Sequence, residues 1–248
     1  MTTIELSDVT VAFDDVTALD SVDLAVPEGE FLTVIGPSGS GKTTLLRTVG
    51  GLQEPTSGTV GIDGDSPETA REAAKLGYVF QDHTLFPWKT AIENVTFLRK
   101  MAGKSPRNDA ARTLLGELGL DGFEDSYPEA LSGGMKQRVA IARALHLGAD
   151  TLLMDEPFGA LDELTREQIG MEVRRLWRDQ EAKTILFVTH SVPEAVLLGD
   201  RCVVVEGAPG RIQTTVDIDL PRPRDETVFD SESFQSLVSE VRRELYRE

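Results

Sequence analysis

The chain has 248 residues, of which 42 are Asp or Glu and 25 are Lys or Arg, so its formal net charge is −17 at pH 7. This acidic balance argues against nonspecific nucleic-acid binding, which needs a basic surface, and against adhesion to anionic lipid. We interpret it as a solvated acidic surface of the kind that a high-salt cytoplasm would favour. A calcium site is the alternative, but no EF-hand spacing occurs.

The composition also limits the class of protein. Cys202 is the only cysteine, which excludes an internal disulfide or a cysteine metal cluster. No apolar stretch approaches the roughly 20 residues that span a bilayer. The N-terminus lacks the basic start and apolar run of a secretory signal. We therefore expect a cytoplasmic protein with one large domain, or two subdomains around a shared core.

The first 35 residues predict short β-strands. Residues 4–11 form one segment, residues 21–26 alternate between apolar and polar, and residues 27–30 make the turn that follows. Phe13 comes directly after the first strand. Its ring could stack on a nucleobase, although a single aromatic residue at such a position more often belongs to the core.

The next stretch carries the first clear chemical motif. Residues 36–43 read GPSGSGKT and fit the phosphate-binding loop, with an apolar strand before them and a helical pattern after them. Glycines let main-chain N–H groups wrap a phosphate, Lys42 would reach the β- and γ-phosphates, and the Thr43 hydroxyl would ligate Mg²⁺. A glycine turn with a solvated lysine is the alternative, but the flanking strand and helix argue against it. The predicted ATP-binding residues of this region are Gly36, Pro37, Ser38, Gly39, Ser40, Gly41, Lys42, Thr43 and Thr44.

Two later strands end in polar residues that could face the nucleotide, because ligands of open α/β sheets bind beyond the strand C-termini. The apolar residues 76–80 lead to Gln81, which could otherwise be an ordinary edge residue. The apolar residues 151–154 lead to Asp155 and Glu156. Successive strand residues point to opposite faces, so we assign Asp155 to Mg²⁺ with Thr43, and Glu156 to the attacking water as general base. A plain acidic turn is the alternative.

A helical region separates these two strands. Residues 90–101 and 105–118 have helical spacing, and Leu131-Ser132-Gly133-Gly134 precedes a third, apolar helix. Ser132 can cap that helix while the two glycines bring the backbone near an anion. The motif is thus a second phosphate-binding device, separate from the first loop.

The last third of the chain predicts a return to strands. Residues 163–180 form an amphipathic helix, and the apolar strand after it ends in His190, which could donate to a γ-phosphate or be structural. Residues 201–206 and 211–218 are predicted as edge strands. Residues 221–225, which read PRPRD, are predicted as a linker before a terminal helix.

Taken in this order, the motifs closely resemble the nucleotide-binding subunit of an ABC transporter over about residues 3–220. The resemblance implies an α/β fold of the P-loop NTPase (ABC ATPase) class with a RecA-like mixed-sheet core. It also implies an N-terminal antiparallel β-subdomain and an inserted helical signature subdomain. The corresponding division is an ATPase domain of residues 1–220, with the helical part at about 84–149, followed by a linker and C-terminal helix at 221–248.

The resemblance also implies a role for each motif residue. Phe13 would stack on adenine, where tyrosine is often found, and Gln81 would contact Mg²⁺ and the attacking water. Asp162, in Ala160-Leu161-Asp162, would couple two subunits, and His190 would be the switch histidine. The implied catalytic residues are Glu156, His190 and Gln81, and the implied metal ligands are Thr43, Gln81 and Asp155. The residues that would complete the partner's site in trans are Leu131, Ser132, Gly133, Gly134 and Gln137.

The implied partners follow from the same resemblance. A homodimer with a self-complementary interface would hold two composite sites, each with ATP and Mg²⁺. An integral-membrane permease and an extracytoplasmic solute-binding protein would complete the machine, with this chain at the cytoplasmic face of the cell membrane and no nucleic acid involved.

A finer resemblance is to the ATPases of nitrate/sulfonate/taurine-type importers. It rests on residues 86–95, 188–195, 209–212 and 220–225. It implies import of a small oxyanion or an organosulfur or nitrogen compound, with residues 82–88 helping to form the groove for the permease's coupling helix. A soluble ABC-type ATPase acting on DNA or ribosomes is the alternative, which predicts a long coiled-coil insertion, tandem halves or a basic surface. A kinase would leave the LSGG motif and His190 unexplained.

Overall fold

The structure is a computed structural model that describes residues 4–159, 163–178, 183–221, 224 and 226–247. The strands in these ranges are β1 (Ile4–Phe13), β2 (Val16–Val26), β3 (Phe31–Ile35), β4 (Ser57–Ile62), β5 (Leu76–Val79), β6 (Thr151–Asp155), β7 (Thr184–Val188), β8 (Arg201–Glu206) and β9 (Arg211–Asp217). The α-helices are α1 (Lys42–Val49), α2 (Pro67–Glu72), α3 (Ala91–Met101), α4 (Asn108–Glu117), α5 (Gly133–Leu147), α6 (Glu163–Arg178), α7 (Val192–Leu198) and α8 (Glu232–Leu245).

The N-terminal strands form an antiparallel three-stranded sheet in the order β2-β1-β4. Its strands are longer than the short ones predicted. Register shifts in the pairing let one strand continue through positions where the apolar alternation is interrupted. The register of β1 shifts between Leu6 and Val9, where Asp8 adopts a positive φ of 50°. Such a bulge returns the apolar side chains to the buried face, so that one strand continues where the pattern predicts an interruption.

The second sheet has six strands in the order β5-β6-β7-β3-β8-β9. The pairs from β5 to β8 are parallel, and β9 is antiparallel to β8. The prediction of an edge strand at residues 201–206 is wrong, because β8 lies between β3 and β9. Its core residues Cys202–Val205 are all buried, as expected of a strand covered on both faces.

Alternate residues of the central strands face two different cores. Leu32 and Val34 of β3 pack with the N-terminal sheet and α1, whereas Phe31 and Ile35 pack with the helices on the other side. The fold is therefore the predicted one, a mixed sheet between an antiparallel sheet and helices.

The helical region packs α3 and α4 against α5. Helix α3 begins with a capping box, in which Thr90 accepts from the Glu93 N–H and the Glu93 carboxylate accepts from the Thr90 N–H. Helix α4 begins at Asn108, three residues later than predicted, because Arg107 has a left-handed φ of 47°. Within the described ranges, no helix combines the length and apolarity needed to cross a bilayer.

The predicted linker at residues 221–225 contains a buried side chain. Arg224 donates hydrogen bonds to the carbonyls of Val196, Leu197 and Gly199 at the end of α7, and to that of Ile218. Helix α8 then packs back through buried apolar residues. At Arg224 the chain is thus a fixed part of the fold and not a loose connection.

Candidate nucleotide site

The phosphate loop joins β3 to α1 and is held by backbone contacts with neighbouring strands. A Cβ at Gly36 would lie 2.4 Å from the Val205 carbonyl oxygen, and one at Gly41 would lie 2.6 Å from that of Ala18. Gly39 has a φ of +81° and no atom within 4 Å of an added Cβ, so this part of the loop is open. Gly36 and Gly41 thus allow the loop to pack closely against neighbouring backbone, while Gly39 leaves room for a ligand.

The loop has the features needed for a triphosphate. Gly41 precedes α1 without a side-chain cap, and no acidic residue lies in the first turn, which leaves the helix N-terminus suited to an anion. Lys42 is buried, and its Nζ donates to the Gly36 and Pro37 carbonyls at 2.9 and 2.8 Å. The buried Ser40 hydroxyl has no hydrogen-bond partner among the residues that the structure describes. Burial lowers the pKa of Lys42, while Glu156 and Asp155 oppose that shift.

The predicted metal pair is brought together from positions far apart in the chain. The Thr43 hydroxyl at the start of α1 donates to Asp155 Oδ1 at the end of β6, over 3.1 Å. Burial raises the pKa of Asp155, and the hydrogen bond from Thr43 partly offsets that rise. A hydroxyl and a carboxylate are oxygen ligands that Mg²⁺ accepts, so the residues fit the ion.

Glu156 and His190 form a second pair beside the first. Strand β6 ends at Asp155, and Glu156 has a left-handed φ of 44° while its N–H donates to the Val188 carbonyl. Its Oε2 lies 3.2 Å from His190 Nδ1, just beyond the end of β7. The two carboxylates therefore face different partners. The reason is not the alternation along a strand that the sequence predicts, because the chain leaves β6 between them.

Two other predicted residues lie on the surface near strand ends. Phe13 is the last residue of β1 and is 46% exposed, so its ring is open to stacking. Gln81 is exposed two residues beyond the end of β5. Their roles stay predictions. Asp162 lies outside the described residues.

The signature motif begins α5. Ser132 caps the helix, because its hydroxyl accepts from the Met135 N–H, and an added Cβ at Gly133 would meet no atom within 4 Å. The N-terminus of α5 is therefore open at Gly133. Leu131 is buried, and Gly134 is half-buried.

Gln137 is not exposed as Ser132 and Gly133 are. It is buried, and its Oε1 lies 2.5 Å from His83 Nδ1 in the same chain. A direct contact of Gln137 with a partner's nucleotide does not fit this position. Arg143, six residues further along α5, donates to the His83 and Thr84 carbonyls and to the Thr84 hydroxyl. Sequence reasoning missed these contacts, because no local pattern joins the segment after Gln81 to α5.

An apolar groove of about 590 Å³ lies between the end of β5 and the helices α3 and α5. Its lining includes Leu52, Tyr78, Phe80, Phe86, Leu98 and Met101. Arg143 and Thr84 also contribute to it, so the groove shares residues with the contacts between α5 and the segment after Gln81.

A phosphate loop, a hydrogen-bonded Thr–Asp pair and a Glu–His pair at adjacent strand ends define a P-loop nucleoside triphosphatase. The comparisons with known proteins make this more specific. The family described as ABC transporter matches residues 19–159, more than half of the chain. The chain belongs to this family, as an ATP-binding subunit whose reaction is the hydrolysis of ATP that powers transport.

Relatives and solved structures agree with that assignment. The chain is 50% identical over 228 residues to an uncharacterized ABC transporter ATP-binding protein of Methanocaldococcus jannaschii, covering 91% of this chain and 84% of that protein. It is 41% identical over 232 residues to an aliphatic sulfonates import ATP-binding protein of Bacillus cereus, covering 94% and 90%. A dimeric ATP-binding cassette in a post-hydrolysis state, bound to ADP and Pi, is similar in structure. Its TM-score is 0.78 at 34% identity, covering 88% of this chain and 100% of that one.

Proposed function

We propose that this subunit hydrolyses Mg²⁺-bound ATP to drive an importer of a small oxyanion or an organosulfur or nitrogen compound, in the nitrate/sulfonate/taurine class. The observation that carries the importer class is the similarity, over nine-tenths of the chain, to proteins named for aliphatic sulfonate import. The chain would act at the cytoplasmic face of the membrane.

The nucleotide would lie along the phosphate loop. Lys42 would exchange the Gly36 and Pro37 carbonyls for phosphate oxygens. Thr43 and Asp155, with Gln81, would hold Mg²⁺, which when bound neutralises charge on the β- and γ-phosphate oxygens. The ring of Phe13 would stack on the adenine.

Glu156 would polarise the attacking water, and His190 would lie beside it. The 3.2 Å contact between Glu156 Oε2 and His190 Nδ1 supports this arrangement, because it orients the carboxylate while leaving its other oxygen for a water.

A second copy of the chain would complete each site. The N-terminus of α5, with Ser132 and Gly133, is open and suited to an anion, which supports contact with the γ-phosphate of the partner's nucleotide. Ser132→Arg should therefore abolish hydrolysis while the isolated monomer still binds ATP. Ser233→Arg, at the start of α8, is the matched control and should leave both properties unchanged. Unchanged turnover in Ser132→Arg would contradict completion in trans.

A membrane permease would dock through the apolar groove. Leu52 and Met101 line it and are exposed, and Trp88 is exposed at the end of the segment that follows Gln81. Apolar side chains exposed together on a strongly acidic protein support a helix of the permease as the occupant. Arg143 lines the groove and donates hydrogen bonds to His83 and Thr84 of this segment. Docking of the permease would therefore affect the backbone close to Gln81.

Co-purification from native membranes tests the proposed function. A tagged form of the chain should retain a multi-spanning permease, and chemical cross-linking before extraction should add a solute-binding protein. The substrate class is then tested by binding assays of that protein with sulfonates, taurine and nitrate. Recovery of ribosomes or DNA-associated proteins without a permease would favour the alternative, a soluble ABC-type ATPase.

A further inference from the structure

The residues on both sides of His190 are fixed by one hydroxyl group. The Thr189 hydroxyl donates to Glu194 Oε2 over 2.6 Å and accepts from the Ser191 N–H over 3.0 Å. The Thr189 N–H donates to the Val34 carbonyl of β3. His190 therefore extends from a short turn whose two flanking residues are held by hydrogen bonds.

Glu194 holds this turn from a largely buried position. Its side chain is 12% exposed, lies in the first turn of α7, and forms an ion pair from Oε1 to Arg166 Nε of α6 at 3.2 Å. The two carboxylate oxygens thus connect α6 with the end of β7. Burial raises the pKa of Glu194, and the hydrogen bond from Thr189 and the charge of Arg166 lower it, while Glu156 and His190 are the other charged or titratable groups that act on it.

A purely structural ion pair would need only Arg166 and Glu194. The short hydrogen bond from Thr189 to Glu194 goes beyond such an ion pair. It fixes the orientation of the Thr189 hydroxyl, and so the direction of the lone pair that accepts from the Ser191 N–H. An amide at residue 194 has one oxygen and one NH₂ group, so the NH₂ group must face either Arg166 or Thr189. Either the contact with Arg166 is lost, or the Thr189 hydroxyl must accept a hydrogen bond from residue 194 where it now donates one, without a change in side-chain size.

We propose that Glu194 is a positioning residue for ATP hydrolysis, which holds His190 at contact distance from Glu156 through Thr189 while Arg166 anchors it to α6. This inference rests on the role proposed above for His190. It also gives α6, which begins directly after the Ala160-Leu161-Asp162 segment, a direct connection to the catalytic turn.

The test compares ATP turnover in full-length Glu194→Gln, Thr189→Val and Thr189→Ser. We expect kcat to fall about tenfold in the first two, equal to about 1.4 kcal/mol of barrier, with KM for ATP nearly unchanged. Thr189→Ser, which keeps the hydroxyl, should recover most of the turnover that Thr189→Val loses. Glu172→Gln, which removes an exposed ion pair with Arg175 on α6, is the matched control and should turn over like the parent.

A spectroscopic measurement separates positioning from general destabilisation. The chain has three histidines, so ring-labelled protein should give three resolvable ε1 resonances, and His190→Ala assigns one of them. Glu194→Gln should move the His190 resonance and leave those of His83 and His146 in place. Glu172→Gln should move none of the three.

The outcomes distinguish the positioning role of Glu194 from the role proposed for His190. If His190→Ala loses turnover while Glu194→Gln and Thr189→Val keep the parental kcat and resonance, the positioning role is overturned and the role of His190 stands. If His190→Ala itself keeps the parental kcat, the proposed role of His190 fails, and this inference fails with it. Should Glu194→Gln not fold, the Thr189→Val and Thr189→Ser pair decides alone.

Discussion

Replacing Arg224 by methionine should destabilise the fold far more than a surface arginine would. Among the described residues, the guanidinium donates four hydrogen bonds of 2.8 to 3.2 Å, to the carbonyls of Val196, Leu197, Gly199 and Ile218. The first two carbonyls belong to the last turn of α7 and have no partner within the helix. A positive charge at that position is also favourable for the helix dipole.

The expected loss of stability is set by the hydrogen bonds that methionine cannot form. Each hydrogen bond from a charged donor contributes about 1.5 to 3 kcal/mol net, but removing the buried guanidinium also removes its desolvation cost. We therefore expect a loss of about 3 kcal/mol in the free energy of unfolding, well below the sum of four bonds. For a chain of this size that corresponds to a fall in Tm of about 6 to 12 °C.

Urea and thermal unfolding of Arg224→Met measure this loss, with Arg112→Met as the matched control. Arg112 pairs with Asp125, but the two side chains are 47% and 74% exposed, so its loss should be under about 1 kcal/mol. Equal stabilities of the two variants would refute the reasoning, because the buried contacts of Arg224 would then contribute no more than an exposed ion pair.

Three further predictions concern the site and its surroundings. Glu156→Gln should bind ATP normally and lose about 10² to 10⁴ of its turnover, and parental turnover would rule it out as the base. Gly210→Ala should weaken ATP binding, because its Cβ would lie 2.2 Å from the Ser40 carbonyl oxygen, whereas Gly61→Ala meets no atom within 4 Å and should not. Burial lowers the pKa of Lys183 from 10.5 to about 8, so between those pH values the unfolded chain binds a proton that the folded chain does not. The parent should therefore gain stability relative to Lys183→Met as pH rises through that window, and a constant difference would contradict this.

The parts of the site that could be predicted are those fixed by local sequence or by sheet topology. Residues 36–43 carry their chemistry in one contiguous stretch. Thr43 and Asp155 are 112 residues apart, yet Thr43 follows β3 and Asp155 ends β6, and the carboxyl ends of these parallel strands lie at one edge of the sheet. The contact of Glu156 with His190 follows the same rule.

The parts that could not be predicted depend on polar side chains that tertiary packing buries. In sequence, Arg224 lies in a Pro-Arg-Pro-Arg stretch that indicates an exposed linker, and only the fold brings it to the end of α7. Gln137 likewise belongs to a motif that the sequence predicts to face a partner, but its own position on α5 points it to His83. A period of 3.6 residues separates buried from exposed faces, and it does not identify which polar residue finds a buried partner.

The contacts of Arg224 and Glu194, which the sequence does not predict, converge on α7, the short helix that follows His190. Ser191 and Glu194 fix its first turn to the end of β7 and to α6, and Arg224 binds the carbonyls at its other end. Strand β7 itself lies between β6 and β3, which carry Asp155 and the phosphate loop. Because α7 is held at both ends, the backbone at His190 cannot shift far without disturbing α6 or the segment around Arg224. A shift of either element would therefore reach the turn that carries His190 through side chains already in contact.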